Sequence, residues 1–157
     1  MKDQELVIIR NFDAPRDLVW KAWTAPELVK RWWGPKGFTA PVCRMDLHVG
    51  GAYLNCMRSP EGQDYWSTGV YREIVAPERI VCTDAFADAD GNVVPASHYG
   101  MSAAYPLEML VTVTFEDHEG KTKLTLKHAG LPGEDLDNCR AGWSESFDKL
   151  AEVLAKR

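Results

Sequence analysis

The segment FDAPRDLVWKAWTAPELVKRWWGP, residues 12–35, decides the fold and holds four of the chain's six tryptophans. Asp13 followed by Pro15 predicts the start of a first helix, because capping carboxylates and an early proline are both typical of helix N-termini. Gly34-Pro35 ends the helical stretch, since glycine favours the turn after a helix and proline cannot continue one. The segment therefore predicts two short helices in succession.

The second of these helices is predicted from its start signal and from its apolar surface. Thr24, with Glu27 three residues later, indicates a capping box, in which both side chains pair with backbone N–H groups of the first turn. Residues four apart lie on one helix face, and two such apolar pairs are present, Leu28/Trp32 and Val29/Trp33. This apolar surface is wider than one sheet face needs, so we expect the helix to lie between a sheet and another element.

Strands dominate the rest of the chain. Residues 4–12 have the branched-aliphatic content of a strand, and after the helices we expect strands over residues 42–49, 53–58, 65–75, 79–86, 107–117 and 121–128. Near the C-terminus the period changes to that of a helix, whose apolar face comprises Trp143, Phe147, Leu150 and Leu154. This order of elements favours an α+β fold, in which an antiparallel sheet curls around one amphipathic helix.

Several stretches together carry a family resemblance. Residues 14–35 are followed by VGG at 49–51, GVYREI at 69–74, PERI at 77–80 and GW at 142–143. With these motifs the chain resembles the SRPBCC (START-like) superfamily and, within it, homologues of the C-terminal domain of the activator of the heat-shock protein 90 ATPase. The resemblance implies a helix-grip fold. Such a fold has a curved antiparallel sheet of about six or seven strands around a long C-terminal helix, with two short helices after the first strand.

Length and charge limit the partners that we expect. Residues 1–157 have the size of one ordinary domain, and we expect a single START-like domain. A formal net charge of −5 with dispersed basic residues argues against nucleic acid and anionic membrane surfaces. The N-terminal residues 1–10 lack the features of a signal or transit peptide, and no apolar run reaches about 18 residues, the length of a membrane span. We therefore expect a cytoplasmic protein.

The sequence offers no recognised metal, cofactor or catalytic motif. Its four cysteines lie far apart and are expected to be reduced thiols packed as small apolar groups. The four histidines lack metal-binding spacing. Residues 88–92 superficially resemble a calcium loop, but the glycine is misplaced, and the pattern predicts an Asp-Gly turn. We therefore expect no cofactor, no metal ion and no catalytic residue.

A curled sheet closed by helices either fills its interior with side chains or leaves a cavity. The residues of inward parity here are mostly soft or aromatic, and such a lining favours a largely apolar ligand. A packed core is the alternative, and the family resemblance favours the cavity. We predict a ligand site lined by Trp33, Met45, Tyr53, Asn55, Met57, Tyr71, Tyr99, Met101, Met109, Val111, His128, Trp143 and Phe147.

Two polar residues on apolar strand faces, Asn55 and His128, are candidate anchors for such a ligand. An unpaired buried amide or imidazole costs about 1–3 kcal/mol, so each needs a partner, which is either an internal group or the ligand. The carboxylates Glu73 and Asp84 lie on strands and could face inward, and by strand parity Glu73 is the best candidate for a buried acid. The alternative is a solvated carboxylate paired near Arg72 or Arg79.

The long stretch 87–106 has no clear period. Loops of this length in compact domains are usually functional lids or disordered. We predict that it folds over one end of the barrel and brings Tyr99 or Met101 to the mouth of the pocket. A floppy surface excursion is the alternative.

Three functions remain in competition. The first is non-catalytic binding of a small hydrophobic or aromatic molecule. The second is a cavity enzyme of the aromatase/cyclase or hydrolase kind found among superfamily relatives, which requires Asn55, Glu73 or His128 to converge inside the pocket. The third, implied by the resemblance, is a chaperone-associated protein-interaction domain. A homodimer through a sheet edge or a helix face is left open.

Overall fold

The computed structural model of the protein describes residues 4–156. Its strands are β1 (Gln4–Phe12), β2 (Thr39–Met45), β3 (Ala52–Arg58), β4 (Asp64–Val75), β5 (Arg79–Ala87), β6 (Met109–His118) and β7 (Lys121–Leu131). Its α-helices are α1 (Arg16–Thr24), α2 (Pro26–Trp32) and α3 (Leu136–Ala155). Short 3₁₀ helices lie at Ala96–Tyr99 and Gly133–Asp135.

The strands form one seven-stranded sheet in the order β1-β7-β6-β5-β4-β3-β2. Every neighbouring pair is antiparallel. The first and last strands along the chain, β1 and β7, pair with each other. Register shifts in β2 and β4 are irregularities of the kind that bend a sheet. The predicted helix-grip architecture, with two short helices after β1 and a long helix at the end, is confirmed.

The C-terminal half of α3 fixes the helix against the sheet. Phe147 and Leu150 are fully buried and Leu154 is nearly so. The Phe147 ring meets the ring of Phe12 in β1 edge-on, with centroids 5.9 Å apart. Each such side chain stabilises the fold by about 1.5–3 kcal/mol on leaving water. The apolar helix face predicted from the sequence is therefore the face that packs against the sheet.

Trp32 holds α1 and α2 together. Its side chain is fully buried, and its indole Nε1–H donates to the Ala22 carbonyl of α1 at 2.9 Å. Its ring lies 4.7 Å from that of Trp23 and 5.6 Å from that of Trp33. The predicted placement of α2 between the sheet and another element is confirmed, because α2 packs on both β2 and α3.

Both helices start where the sequence predicts, but the capping box predicted for α2 is wrong. The N-cap residues are Pro15 for α1 and Ala25 for α2, and neither of these side chains makes a capping hydrogen bond. Thr24 does not cap α2, because its hydroxyl donates to the Trp20 carbonyl one turn back at 2.9 Å. A threonine between two helices can form a hydrogen bond with either of them, and here Thr24 bonds to the preceding helix, α1.

Residues 46–49, predicted as the end of a strand, form a turn. The His48 N–H folds back onto the Asp46 carbonyl at 2.8 Å, and Gly50 adopts a φ of 90°, which glycine tolerates best. Val49 is therefore 61 % exposed and not part of the interior. The other strand predictions are confirmed to within about three residues at their ends.

Hydrogen bonds order the stretch 87–106. The Asp88 carboxylate accepts the N–H groups of Asp90 and Asn92 at 2.9 and 3.0 Å, which confirms the predicted turn. A 3₁₀ helix follows at Ala96–Tyr99. The Tyr99 hydroxyl donates to the Ala87 carbonyl.

Lys149 ties α3 to the segment that follows α2. Its ammonium group donates to the carbonyls of Trp33, Pro35 and Phe38 at 3.2–3.3 Å. Burial lowers the pKa of Lys149, so the cost of desolvating the charge offsets part of the gain from these bonds. The segment 33–38 is thereby held against α3.

None of the helices within residues 4–156 combines the length and apolarity needed to cross a membrane.

We predict that Trp32→Phe destabilises the fold by about 1–3 kcal/mol, because the buried Ala22 carbonyl loses its donor. Urea unfolding followed by circular dichroism measures the loss. Trp20→Phe is the matched control, since Trp20 is only half-buried. Equal losses for the two variants would contradict the role assigned to the Trp32 hydrogen bond.

Lys149→Met is expected to cost about 1 kcal/mol in thermal unfolding, because three carbonyls lose a charged donor. It should also speed hydrogen exchange in residues 33–38. Lys127→Met, at an exposed position of β7, serves as the control. Unchanged exchange in this segment would show that Lys149 does not hold it.

Candidate ligand-binding cavity

Two adjoining pockets lie between the sheet and the N-terminal half of α3. One, here called the tryptophan pocket, has a volume of about 60 Å³ and is bounded by Trp23, Trp32 and Trp33 together with β2–β6. The other, the loop pocket, has a volume of about 210 Å³ and is bounded by Met101 and Tyr105 of the long loop together with β3–β7 and α3. Their walls are mostly apolar and aromatic.

Most residues of the predicted site border one of these pockets. The tryptophan pocket includes Trp33, Met45, Tyr53, Asn55, Tyr71, Val111 and Trp143. The loop pocket includes Trp33, Met57, Met101, Met109, His128 and Trp143. The sheet brings them together because its strands present alternate residues to α3.

Tyr99 and Phe147 border neither pocket. Phe147 is fully buried in the core beside Phe12, because it lies where α3 packs directly on the sheet. Tyr99 is turned toward the backbone, since its hydroxyl also accepts the Trp66 N–H at 3.1 Å. Of the two loop residues expected at the mouth, Met101 alone lines the cavity.

Glu73 does not face the cavity. Its side chain is 47 % exposed and pairs with Arg79 at 2.8 Å, as the alternative reading of the sequence proposed. The register of β4 shifts between Tyr71 and Glu73, so the alternation that places Tyr71 inside does not continue to Glu73. Of the residues Asn55, Glu73 or His128 that the enzyme hypothesis expects to converge, Asn55 borders the tryptophan pocket and His128 borders the loop pocket, whereas Glu73 borders neither.

Asp84 is the acid that the cavity does contain. It borders both pockets, as Trp33 and Trp143 do. Its Oδ1 accepts the Tyr53 hydroxyl at 3.1 Å, and the same hydroxyl approaches the Thr83 carbonyl at 3.0 Å. Burial, and after it the negative charge of Asp84, raises the pKa of Tyr53 well above its ordinary value, so the phenol remains a donor.

His128 joins α3 to this carboxylate. Its Nδ1 accepts the Trp143 indole N–H at 3.2 Å. Its Nε2 lies 3.2 Å from Asp84 Oδ2, but the approach is not directed along the N–H, so no hydrogen bond forms. Trp143, His128, Asp84 and Tyr53 thus form a polar chain through the junction of the two pockets.

Three residues that line the pockets each have a buried polar atom with no hydrogen-bond partner within the described part of the chain. The atoms are Trp23 Nε1, Asn55 Oδ1 and His128 Nε2. Buried polar groups are nearly always paired, so their position beside a hollow is informative. Trp23 borders the site although it was not predicted there, and Asp84, which was considered only as a strand carboxylate that could face inward, borders both pockets. Asp84 alternates with Cys82 and Phe86 on β5. This alternation is the sequence pattern from which its position in the site could have been predicted.

The thiols of the cavity wall are not activated. Burial raises the pKa of Cys82, in the tryptophan pocket, to about 12. Burial and the neighbouring Asp135 raise that of Cys139, in the loop pocket, to about 12. A thiol is nucleophilic as the thiolate, so neither is a candidate nucleophile near neutral pH. Residues 4–156 contain no group of three or more His, Cys, Asp or Glu side chains placed to hold a metal ion.

Solved structures of similar proteins share this architecture. Protein CV1439 of Chromobacterium violaceum is 30 % identical, with a TM-score of 0.80 and 96 % of each chain covered. Protein NE0264 of Nitrosomonas europaea is 26 % identical, with a TM-score of 0.78 over 97 % of this chain and 94 % of that one. The AHSA1 protein SPO3351 of Silicibacter pomeroyi is 25 % identical, with a TM-score of 0.77 over 97 % and 98 %.

No curated protein matches the chain. A family model does, and it covers nearly all of the sequence, from residue 13 to residue 155. Its description is "Activator of Hsp90 ATPase homolog 1-like protein". The resemblance inferred from the motifs is thereby confirmed, and the chain belongs to the Activator of Hsp90 ATPase homolog 1-like family.

Proposed function

We propose that this protein binds a small apolar or aromatic molecule in the joined tryptophan and loop pockets and does not transform it. The observation that carries the proposal is the combination of an aromatic-walled hollow with buried polar atoms that lack partners in the described chain, Trp23 Nε1, Asn55 Oδ1 and His128 Nε2. A ligand would supply these partners and remove apolar surface from water.

The energetics favour a ligand with a rigid apolar body. Burial of apolar surface contributes about 25 cal/mol per Å² before the costs of ordering and lost motion. Flat rings suit this wall, because Trp33 and Trp143 line both pockets and their rings meet edge-on with centroids 5.6 Å apart. Met57, Met101 and Met109 border the loop pocket, and methionines adapt readily to an irregular ligand shape.

Native mass spectrometry of the freshly purified protein tests the proposal first, by showing whether a small molecule co-purifies. Thermal shifts against flavonoids, polyketide-like compounds and fatty acids follow. A true ligand at a hundred times its Kd should stabilise the fold by about 2.7 kcal/mol. No bound molecule, together with no stabilisation by any class, would count against the proposal.

We predict that Trp143→Leu weakens the affinity for any ligand found in this way by about tenfold or more, a loss of about 1.4 kcal/mol. The substitution removes aromatic surface from both pockets. Trp20→Leu is the matched control, because Trp20 packs on Phe115 and borders neither pocket. Titration calorimetry measures both, and equal effects would place the ligand elsewhere.

A cavity enzyme is the second candidate, and the contact between Asp84 and His128 favours it. A carboxylate, an imidazole and the phenol of Tyr53 at one junction could move protons on a bound substrate. Chemical change of a co-purified molecule during incubation, lost in His128→Gln, would support turnover. An unchanged molecule would favour simple binding.

The family description supports a chaperone contact as a further proposal. The loop pocket is recessed between sheet and helix, which suits a small molecule better than a protein surface. A pull-down with purified Hsp90 tests the contact directly. Cytoplasmic location and a homodimer remain predictions from the sequence.

A further inference from the structure

Asp84 stands out as a charged group within an otherwise apolar cavity. Its side chain is 20 % exposed, and it lies at the junction of the two pockets, where Trp33 and Trp143 also border both. A carboxylate in such a place is costly unless it is paired. Its partners therefore indicate which group a ligand can present there.

Within the described residues, one side chain donates a hydrogen bond to Asp84, and no lysine or arginine pairs with it. The Tyr53 hydroxyl donates to Oδ1 at 3.1 Å. His128 accepts the Trp143 N–H at Nδ1, and its Nε2 lies 3.2 Å from Asp84 Oδ2. Within residues 4–156 no lysine or arginine forms an ion pair with Asp84. Among the described residues, Asp84 therefore has no partner that carries a permanent positive charge.

The surroundings of this charge suit a cation. Within residues 4–156 the nearest donor to Asp84 Oδ2 is His128 Nε2 at 3.2 Å, and this contact is not a hydrogen bond. Asn55 adds a second unpaired oxygen, Oδ1, to the tryptophan pocket. An ammonium group carries three donors and is attracted to the faces of indole rings. A ligand carboxylate, by contrast, would be repelled by Asp84.

We infer that the ligand is an aromatic or apolar amine whose protonated nitrogen pairs with Asp84 while its body occupies the aromatic walls. The inference rests on the proposed function. It names the ligand class and the residue that selects it, because a charge-assisted hydrogen bond is stronger than a neutral one.

Three probes with one ring system test this: tryptamine, tryptophol and indole-3-acetate, titrated by calorimetry at pH 7.5. At this pH the amine is protonated and the acid is ionised. We expect the amine to bind about tenfold or more tightly than the alcohol, and the acid to bind most weakly. An amine that binds no more tightly than the alcohol overturns the inference and leaves the proposed function standing. Failure of all three to bind counts against both.

Asp84→Asn should remove the preference for tryptamine while tryptophol still binds. Asp137→Asn is the matched control, because it changes the net charge equally at an exposed position of α3, and it should leave the preference intact. A preference that survives Asp84→Asn assigns the selection to another group and overturns the inference. If Asp84→Asn does not fold by circular dichroism, the order of the three probes on the unaltered protein decides alone.

Discussion

The cavity depends on the way in which α3 meets the sheet. Toward its C-terminus the buried side chains of Phe147, Leu150 and Leu154 bring the helix onto the strands. One turn before Phe147, the Trp143 ring lies instead against Trp23, stacked at 6.3 Å. Indole rings from α1 and the end of α2 thus stand between this part of α3 and the sheet. A hollow forms where the rings separate the two, and a solid core forms where they do not.

The fold was predictable from the sequence because its signals are redundant. The period of α3 and the alternation along the strands each indicate the same layers. Details that depend on one residue of register were less predictable. Simple alternation from Tyr71 predicted that the Glu73 side chain faces inward. The register shift between the two residues leaves it exposed instead. Thr24 matched a cap, but it serves the helix before it.

The residues that line the candidate site could be predicted from the sequence, but the polar contacts among them could not. Soft and aromatic residues of inward parity do border the pockets, since parity determines which side of a strand faces α3. The pairing of Asp84 with Tyr53 and its contact with His128 join β3, β5 and β7, and no local pattern shows which strands become neighbours. Tyr99 illustrates the same limit, because its partners come from β4 and β5.

Polar groups lie at the junction of the two pockets, so the two ends of a ligand would not be equivalent in the apolar hollow. A hollow lined by tryptophan and methionine would accept many molecules, whereas under our proposal the carboxylate at the junction of its two pockets would distinguish ligands by charge. Membership of the Activator of Hsp90 ATPase homolog 1-like family is compatible with this account. The central claim is that the interior is hollow. A crystal structure under xenon pressure tests it most directly, because apolar cavities take up xenon. The account predicts xenon between α3 and the sheet, beside Trp143 and Met109. Side chains filling this space, with no xenon bound, would contradict it.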